Sequence, residues 1–280
     1  MHYPKLIHQN DSIDYQKILF ERPISRLHAR QIGVVAGRNT NLRELNKIHQ
    51  IVGDFKYDIC IVAEPELKKF GVPAELLLTT QNKKSIAYSN TDDAIEVVNN
   101  CNYSIIGLGF DGNSKMQLMI EKMIGSALSK LLIYQECLAL FRTSPDILKD
   151  RIDDILIFDS IGMKKLVKHL GIEINTISDT SVLNTCNVLT TIARLQQSHI
   201  VYTQNNQIIV VSHRDVESVG VINFDNQFAK NPRDEYVAMF VSLLSDSAQT
   251  TDDFLHRALT AGYLLKKYLH SYDNFKDALK

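Results

Sequence analysis

Short runs of β-branched and aliphatic residues alternate along this chain with stretches in which apolar residues recur every three or four positions. In residues 31–62, the run at 32–36 predicts a buried strand, the spacing at 42–52 predicts an amphipathic helix, and the run at 58–62 predicts a second strand. Gly37 ends the first run, and turn and helix-capping residues follow it. The order strand, helix, strand is typical of a parallel βαβ unit.

The same alternation continues to the end of the chain. Further strands are predicted at 103–106, 131–134, 155–158, 200–202 and 208–211, and further helices near 116–124, 163–170, 181–197, 236–244 and 254–265. Asn205 and Asn206 separate the last two strands and favour a hairpin turn. Because strands such as 131–133 are apolar on both faces, we expect helices on both sides of the sheet. We therefore predict an α/β fold: one three-layer α/β/α domain with a mostly parallel central sheet over residues 31–280, after an irregular lead-in at 1–30.

Composition and charge exclude several classes of protein. The chain has 280 residues, of which 45% are apolar, and a net charge of −1, so it can bury a core and is not expected to be disordered. The near-zero charge argues against nucleic-acid binding. No apolar run reaches the roughly 18 residues of a membrane span, and no signal peptide is visible behind Lys5 and His8. The four cysteines contain no closely spaced pair, which indicates reduced, buried thiols and a cytoplasmic location.

A glycine motif follows the strand predicted at 103–106. Residues 107–112 read Gly-Leu-Gly-Phe-Asp-Gly and match the GxGxxG pattern of dinucleotide-binding folds, with Glu136 as the acidic residue for ribose hydroxyls. Two features are unusual for that pattern. The residues at 113–114 are better suited to begin the helix, and Glu136 lies 29 positions after Gly107. A Rossmann-type oxidoreductase that uses NAD is therefore one alternative.

The order of the loops along the whole chain is more informative than this motif. Five segments follow one another, at 34–37, 61–66, 106–109, 202–209 and 231–234. In order and spacing they resemble the first strand with its glycine turn, the "PE" stretch, the "GPG" turn, the hairpin and the "GSGD" helix start of the ADP- or ATP-dependent NAD(P)H-hydrate dehydratases. That family is a branch of the ribokinase-like superfamily, and the resemblance runs from about residue 22 to residue 268.

The resemblance implies a nucleotide site before the penultimate helix. In the family, a glycine-rich loop holds the nucleotide phosphates, and the aspartate after the loop acts as acid or base. Asp234 matches that aspartate and is the candidate catalytic residue. Asn231 and Arg233 stand in the place of the glycines, and Thr203 and Gln204 replace the lysine and glycine of the hairpin. These four residues are the candidates for nucleotide binding, with ADP or ATP and Mg²⁺ as implied cofactors.

Glycine is missing where that phosphate loop would lie. The chain has 12 glycines, a share below the usual value of about 7%, and none stands between Gly220 and Gly262. Pro232 removes a backbone donor from the loop, and the Cβ atoms of the other residues crowd an approaching phosphate. We therefore expect a degraded nucleotide site.

Candidates for substrate binding lie at the predicted strand ends. They are the turn glycines Gly37, Gly107 and Gly109, and the acidic residues Glu136 and Asp159, which suit sugar hydroxyls or Mg²⁺. Glu136 stands, with Tyr134, where the family has two aspartates. No metal-ligand set is predicted, because the histidines show no ligand spacing; those considered are His199, His213, His256 and His270.

Three interpretations of function follow. The first is a diverged, NAD(P)H-hydrate dehydratase-like protein with a lost or remodelled nucleotide site, which acts as a non-catalytic or binding protein. The second is an active nucleotide-dependent dehydratase or small-molecule kinase that uses Asp234, and the third is the NAD-dependent oxidoreductase. We expect a small-molecule or nucleotide ligand and a homo-oligomer, since relatives of this kind commonly assemble, and neither nucleic acid nor a membrane as a partner.

Overall fold

The computed structural model describes most of the chain. The described residues are 3–9, 31–37, 40, 42–63, 91–110, 114–137, 147–148, 151–172, 181–204, 206–224, 232–245 and 254–279. Several positions used above lie outside them: residues 64–66 and 113, Gly112, Asn205 and Asn231.

Nine strands form one sheet in the described part of the chain. Their bounds are β1 Lys5–His8, β2 Gln31–Ala36, β3 Asp58–Ala63, β4 Tyr103–Leu108, β5 Lys130–Tyr134, β6 Ile155–Asp159, β7 His199–Gln204, β8 Gln207–Val211 and β9 Ser218–Asn223. Their order across the sheet is β1-β9-β8-β7-β6-β5-β4-β2-β3. Every neighbouring pair is parallel except the two that β8 makes, so the predicted mostly parallel sheet is confirmed. The predicted hairpin is the antiparallel pair β7–β8.

Helices cover both faces of this sheet. Those described are α1 Leu42–Asp54, α2 Thr91–Asn99, α3 Ser114–Ser126, α4 Ser160–His169, α5 Val182–Gln196, α6 Arg233–Leu244, α7 Phe254–His270 and α8 Tyr272–Ala278. One core contains Ile48 of α1, Phe240 of α6 and Phe275 of α8. The other contains Met119 of α3 and residues of α2, α4 and α5. The three-layer α/β/α arrangement is therefore confirmed. Among the described helices, none combines the length and the apolar character that a bilayer crossing requires.

Helix α6 is buried over nearly its whole length and has the candidate residue Asp234 in its first turn. It packs between α1 and α7 above the sheet, and its residues from Asp234 to Leu244 are all buried. Two acidic residues, Asp234 and Glu235, therefore lie in the first turn of a buried helix, where the positive end of the helix dipole favours them.

Two strands depart from the sequence prediction. Residues 5–8, assigned above to an irregular lead-in, form β1, which pairs in parallel with β9. The sequence patterns above do not predict strand β9, whose short apolar run contains Gly220. Helix α7 approaches this strand so closely that a Cβ on Gly262 would lie 2.7 Å from Ile222 Cγ1. Such long-range packing leaves no periodic signal in the sequence. The domain boundary at residue 30 stays a prediction.

Candidate functional site

The carboxyl end of β5 and the start of α6 meet at one edge of the sheet. Tyr134 is the last residue of β5, and its hydroxyl donates a hydrogen bond to Asp234 Oδ1 over 3.0 Å. Tyr134 is fully buried, and Asp234 is 7% exposed. Burial raises the pKa of the Tyr134 phenol well above its ordinary value, and the Asp234 charge adds to the rise, so the hydroxyl keeps its proton as a donor. Open parallel sheets bind ligands beyond the carboxyl ends of their strands, where this contact lies.

Arg233 completes this arrangement. Its Nε donates to Asp234 Oδ1 over 3.1 Å, and its guanidinium carbon lies 4.7 Å from the centre of the Tyr134 ring. Burial lowers the pKa of Arg233, but the acidic groups around it outweigh burial and raise the pKa above its ordinary value. The guanidinium therefore stays charged, and Asp234 Oδ1 receives two donors from the protein itself. We call Tyr134, Arg233 and Asp234 the Asp234 cluster.

Glu136 lies two residues beyond the end of β5, next to the Asp234 cluster. Its Oε2 is buried and has no hydrogen-bond partner among the described residues. Burial raises the pKa of Glu136, and the charges of Asp234 and Asp159 add to the rise, whereas Arg233 opposes it. A buried oxygen without a partner is suited to a ligand that donates a hydrogen bond to it.

Asp159 ends β6 and caps α4. Its Oδ1 accepts from the backbone N–H of Ile161 over 2.8 Å and of Gly162 over 3.1 Å, and its Oδ2 accepts from Gln135 Nε2 over 3.1 Å. Burial alone would raise its pKa, but these donors and the charge of Arg233 lower it. Both carboxylate oxygens therefore stabilise the protein itself, and a helix cap accounts for the residue.

The turn after β4 is packed against Thr40. Gly107 and Gly109 have φ values of +100° and +64°, and a Cβ on Gly109 would lie 2.1 Å from Thr40 N. The Thr40 hydroxyl donates to Leu108 O over 2.8 Å. A Cβ on Gly37 would lie 2.6 Å from Gly109 O, so this glycine also serves close backbone packing. Close packing against Thr40 and Gly37 therefore accounts for the glycine at position 109.

The remaining nucleotide-binding candidates lie on the hairpin or outside the described residues. Thr203 is buried in β7 beside Asp159 of β6. Gln204 ends β7 and accepts a hydrogen bond at Oε1 from Tyr202 over 2.8 Å. Asn231 is not among the described residues. Of the described candidates, the structure brings Arg233 together with Asp234.

Sequence reasoning missed three side chains near this site. Tyr134 is the donor to Asp234, Gln135 bridges to Asp159, and Lys47 of α1 forms an ion pair with Glu235 next to Asp234. A signal existed for Tyr134, because it replaces an aspartate of the resembled family at a strand end. None existed for Lys47, which lies 188 positions from its partner.

Comparisons with known proteins bear on the fold. No protein-family model matches the sequence, and a search of curated proteins gives no match. Solved structures are similar in fold. They include a ribokinase-like superfamily protein from Enterococcus faecalis V583, with a TM-score of 0.66 and 10% identity over 98% of this chain and 94% of that chain. They also include YxkO of Bacillus subtilis, a member of the UPF0031 family, with a TM-score of 0.57 and 14% identity over 91% of this chain and 93% of that chain.

A third similar structure is the pyridoxal kinase of Entamoeba histolytica, with a TM-score of 0.51 and 12% identity over 90% of this chain and 95% of that chain. At these identities the likeness concerns the fold and leaves the chemistry of the site open. The nine-stranded sheet, its single antiparallel strand β8 and the helices on both faces agree with the likeness. The chain therefore has the ribokinase-like fold that the order of its loops implied.

Proposed function

We propose that this chain is a diverged relative of the NAD(P)H-hydrate dehydratases whose nucleotide site is remodelled, and that it binds a small hydroxylated ligand without nucleotide-dependent turnover. The observation that carries the proposal is the occupation of Asp234 Oδ1 by two protein donors, Tyr134 and Arg233. A general base must accept a proton from its substrate within hydrogen-bond reach. In this chain Asp234 Oδ1 already accepts hydrogen bonds from Tyr134 and Arg233 inside a buried cluster.

Charge at the site also disfavours a polyphosphate. Arg233 carries one positive charge. The carboxyl groups of Asp234, Glu136 and Asp159 lie close enough to it, or to one another, to shift the pKa of a neighbouring group. Phosphate sites of this kind depend on backbone N–H groups and an excess of positive charge. An arginine paired with an aspartate adds no net positive charge, so it does not replace a glycine-rich loop.

Glu136 favours a hydroxylated ligand. Its buried Oε2, which has no partner among the described residues, accepts a hydrogen bond when a ligand hydroxyl or amine lies beside it. A ligand that donates to this oxygen removes the cost of leaving a buried acceptor without a partner, which is roughly 1–3 kcal/mol. We therefore propose the ribose-like or polyol part of a ligand, rather than its phosphates, as the recognised group.

Thermal unfolding of the full chain tests this proposal. We expect adenosine, ribose or another polyol in a small panel to raise the Tm, and we expect this rise to be lost in Glu136→Gln. ADP, ATP and NAD with Mg²⁺ should leave the Tm unchanged, since a ligand stabilises in proportion to its affinity. A rise with ADP or ATP that is larger than with any polyol would contradict the proposal.

An active dehydratase or kinase is the second candidate. It is favoured by the place of Asp234, in the first turn of a buried helix at the carboxyl edge of the sheet. Turnover of hydrated NADH, or phosphorylation of a small alcohol, should then depend on ADP or ATP. It should be abolished in Asp234→Asn and retained in Tyr236→Phe, a buried tyrosine whose hydroxyl bonds to Ala258 O instead. No nucleotide-dependent turnover in the unsubstituted chain would exclude this candidate.

A further inference from the structure

Three side chains of types that can bind metals meet at the sheet edge opposite the Asp234 cluster. Asp153 precedes β6, His199 is the first residue of β7, and His213 follows β8. One nitrogen of each imidazole and one carboxylate oxygen lie within 4.8 Å of one another. The length of β6 separates this group from the carboxyl edge of the sheet, a distance of about 15–20 Å. The group is therefore independent of the proposed ligand site.

Backbone hydrogen bonds hold Asp153 and His199 in place, and the pairing of β7 with β8 brings His213 beside them. Asp153 has a left-handed φ of +70°, and its N–H donates to Gln197 O over 3.1 Å. The N–H of His199 donates to Asp154 O over 2.8 Å, which ties the starts of β6 and β7 together. Because β8 runs antiparallel to β7, the chain returns to the same edge, and the two imidazole rings lie 4.7 Å apart.

The distances among the donors suit a small dication. His199 Nε2 lies 3.7 Å from Asp153 Oδ1, and His213 Nε2 lies 2.5 Å from the same oxygen. A tetrahedral zinc ion with bonds of about 2.0–2.2 Å holds neighbouring donors about 3.3 Å apart. The two observed distances lie on either side of that value, so small side-chain rotations suffice to admit an ion.

His199 supplies a second, independent observation. It is 6% exposed, its Nδ1 is buried without a hydrogen-bond partner among the described residues, and its Nε2 is beyond hydrogen-bond distance from Asp153. Its ring is held in place by stacking on Phe254, with 3.8 Å between centroids and an angle of 17°. Nε2 faces the carboxylate from 3.7 Å and is the nitrogen open to an ion, whereas Nδ1 would stay without a partner among the described residues on the other side of the ring.

Two cationic side chains compete for Asp153. Arg214 Nε lies 2.7 Å from Oδ1 while its Nη2 contacts Oδ2, and Lys130 Nζ lies 3.3 Å from Oδ2. The Arg214 and Lys130 side chains are 42% and 39% exposed, whereas those of the three ligand residues are between 8% and 12% exposed. The competing cations can therefore turn into solvent when a dication binds, and they lower the affinity without closing the site.

We propose that Asp153, His199 and His213 bind one divalent transition-metal ion of the zinc class, with a fourth position open to solvent or a ligand. Imidazole nitrogens with one carboxylate suit Zn²⁺ and its neighbours, whereas Mg²⁺ prefers oxygen donors. The bound ion joins the starts of β6 and β7 to the end of β8, and so it stabilises the folded chain.

Metal titration of the full chain tests the site. The protein is first treated with a chelator to remove bound metal and is then exchanged into chelator-free buffer. Zn²⁺ should then bind at one ion per chain in calorimetry and should raise the Tm. Mg²⁺ at the same concentration should not raise it. Co²⁺ should give an intense visible spectrum typical of a four-coordinate site. Failure of the unsubstituted chain to bind one Zn²⁺ overturns the proposal.

Variants distinguish this site from adventitious binding. His213→Gln and Asp153→Asn should each raise the Kd for Zn²⁺ by more than about tenfold; asparagine tolerates the left-handed backbone at 153. Arg214→Gln keeps every ligand and removes a competitor, so it should lower the Kd. His270→Gln, at an exposed histidine that ends α7, is the control and should leave the Kd unchanged.

The same Kd in His213→Gln as in the unsubstituted chain overturns the proposal. Arg214→Gln provides a test that does not depend on the ligand variants remaining folded, because an unchanged or higher Kd in that variant contradicts the geometry described above.

Discussion

Removal of the Tyr134 hydroxyl tests whether the Asp234 carboxylate is held inside a buried cluster. Tyr134→Phe keeps the fully buried ring beside the Arg233 guanidinium and deletes one of the two donors to Asp234 Oδ1. A hydrogen bond to a charged group contributes about 1.5–3 kcal/mol, against about 0.5–1.5 kcal/mol for a neutral pair. Since Arg233 remains as the second donor, we expect the free energy of unfolding to fall by about 2 kcal/mol.

Tyr236→Phe is the matched control. Tyr236 is also fully buried, and its hydroxyl donates over 3.1 Å to Ala258 O, a neutral carbonyl. The control should therefore lose about 1 kcal/mol. Urea unfolding at pH 7, followed by circular dichroism, measures both values, and the comparison is valid where the dependence on urea has the same slope in each protein.

A double-mutant cycle connects the effect to Asp234. Asp234→Asn removes the charge, so the loss from Tyr134→Phe should shrink by about 1 kcal/mol or more in that background. The same substitution in the Tyr236→Phe background should leave the control loss unchanged. Should Tyr134→Phe cost no more than Tyr236→Phe, with no coupling to Asp234, the contact does not engage the carboxylate, and the main support for a non-catalytic site is lost.

Three further predictions concern stability. Burial, aided by the charge of Asp234, raises the pKa of Glu136 above its value in the unfolded chain. The fold favours the protonated group, so stability is lost as pH rises from the unfolded-chain pKa through the raised pKa and Glu136 ionises. Relative to the unsubstituted chain, Glu136→Gln should gain stability between pH 4 and pH 7 in urea unfolding, and a difference that does not change with pH would contradict this. Gly109→Ala should lower the free energy of unfolding by at least about 2 kcal/mol, because φ is +64° and the added Cβ would meet Thr40 N at 2.1 Å. Gly125→Ala, on α3 with open space around the added Cβ, should raise the Tm, with a gain of up to about 1 kcal/mol; a loss there would show an unrecognised contact.

Several parts of the candidate site were visible in the sequence. The position of Asp234 at a helix start and of Asp159 and Glu136 at strand ends followed from local patterns, because strand ends and helix caps are set by nearby residues. The contacts that decide their chemistry were not visible. Tyr134 and Asp234 are 100 positions apart, and the pairing that satisfies Asp234 exists because β5 and α6 end at the same edge of the sheet.

Local sequence patterns were sufficient to establish the class of fold. Strands apolar on both faces must be buried between helices, and their alternation with amphipathic segments leaves few arrangements other than a mostly parallel sheet in three layers. The Asn205-Asn206 turn likewise marked the β7–β8 hairpin. These features are local, since each depends on the periodicity of residues that are neighbours along the chain.

Which distant residues become neighbours depends on how the whole chain packs. The pairing of β1 with β9 joins residues 5–8 to 218–221. Asp153, His199 and His213 show no ligand spacing in the sequence, yet strand order brings them within 4.8 Å. The physical reason is that hydrophobic periodicity determines which face of a strand is buried, whereas the order of strands is determined by the packing of the whole chain.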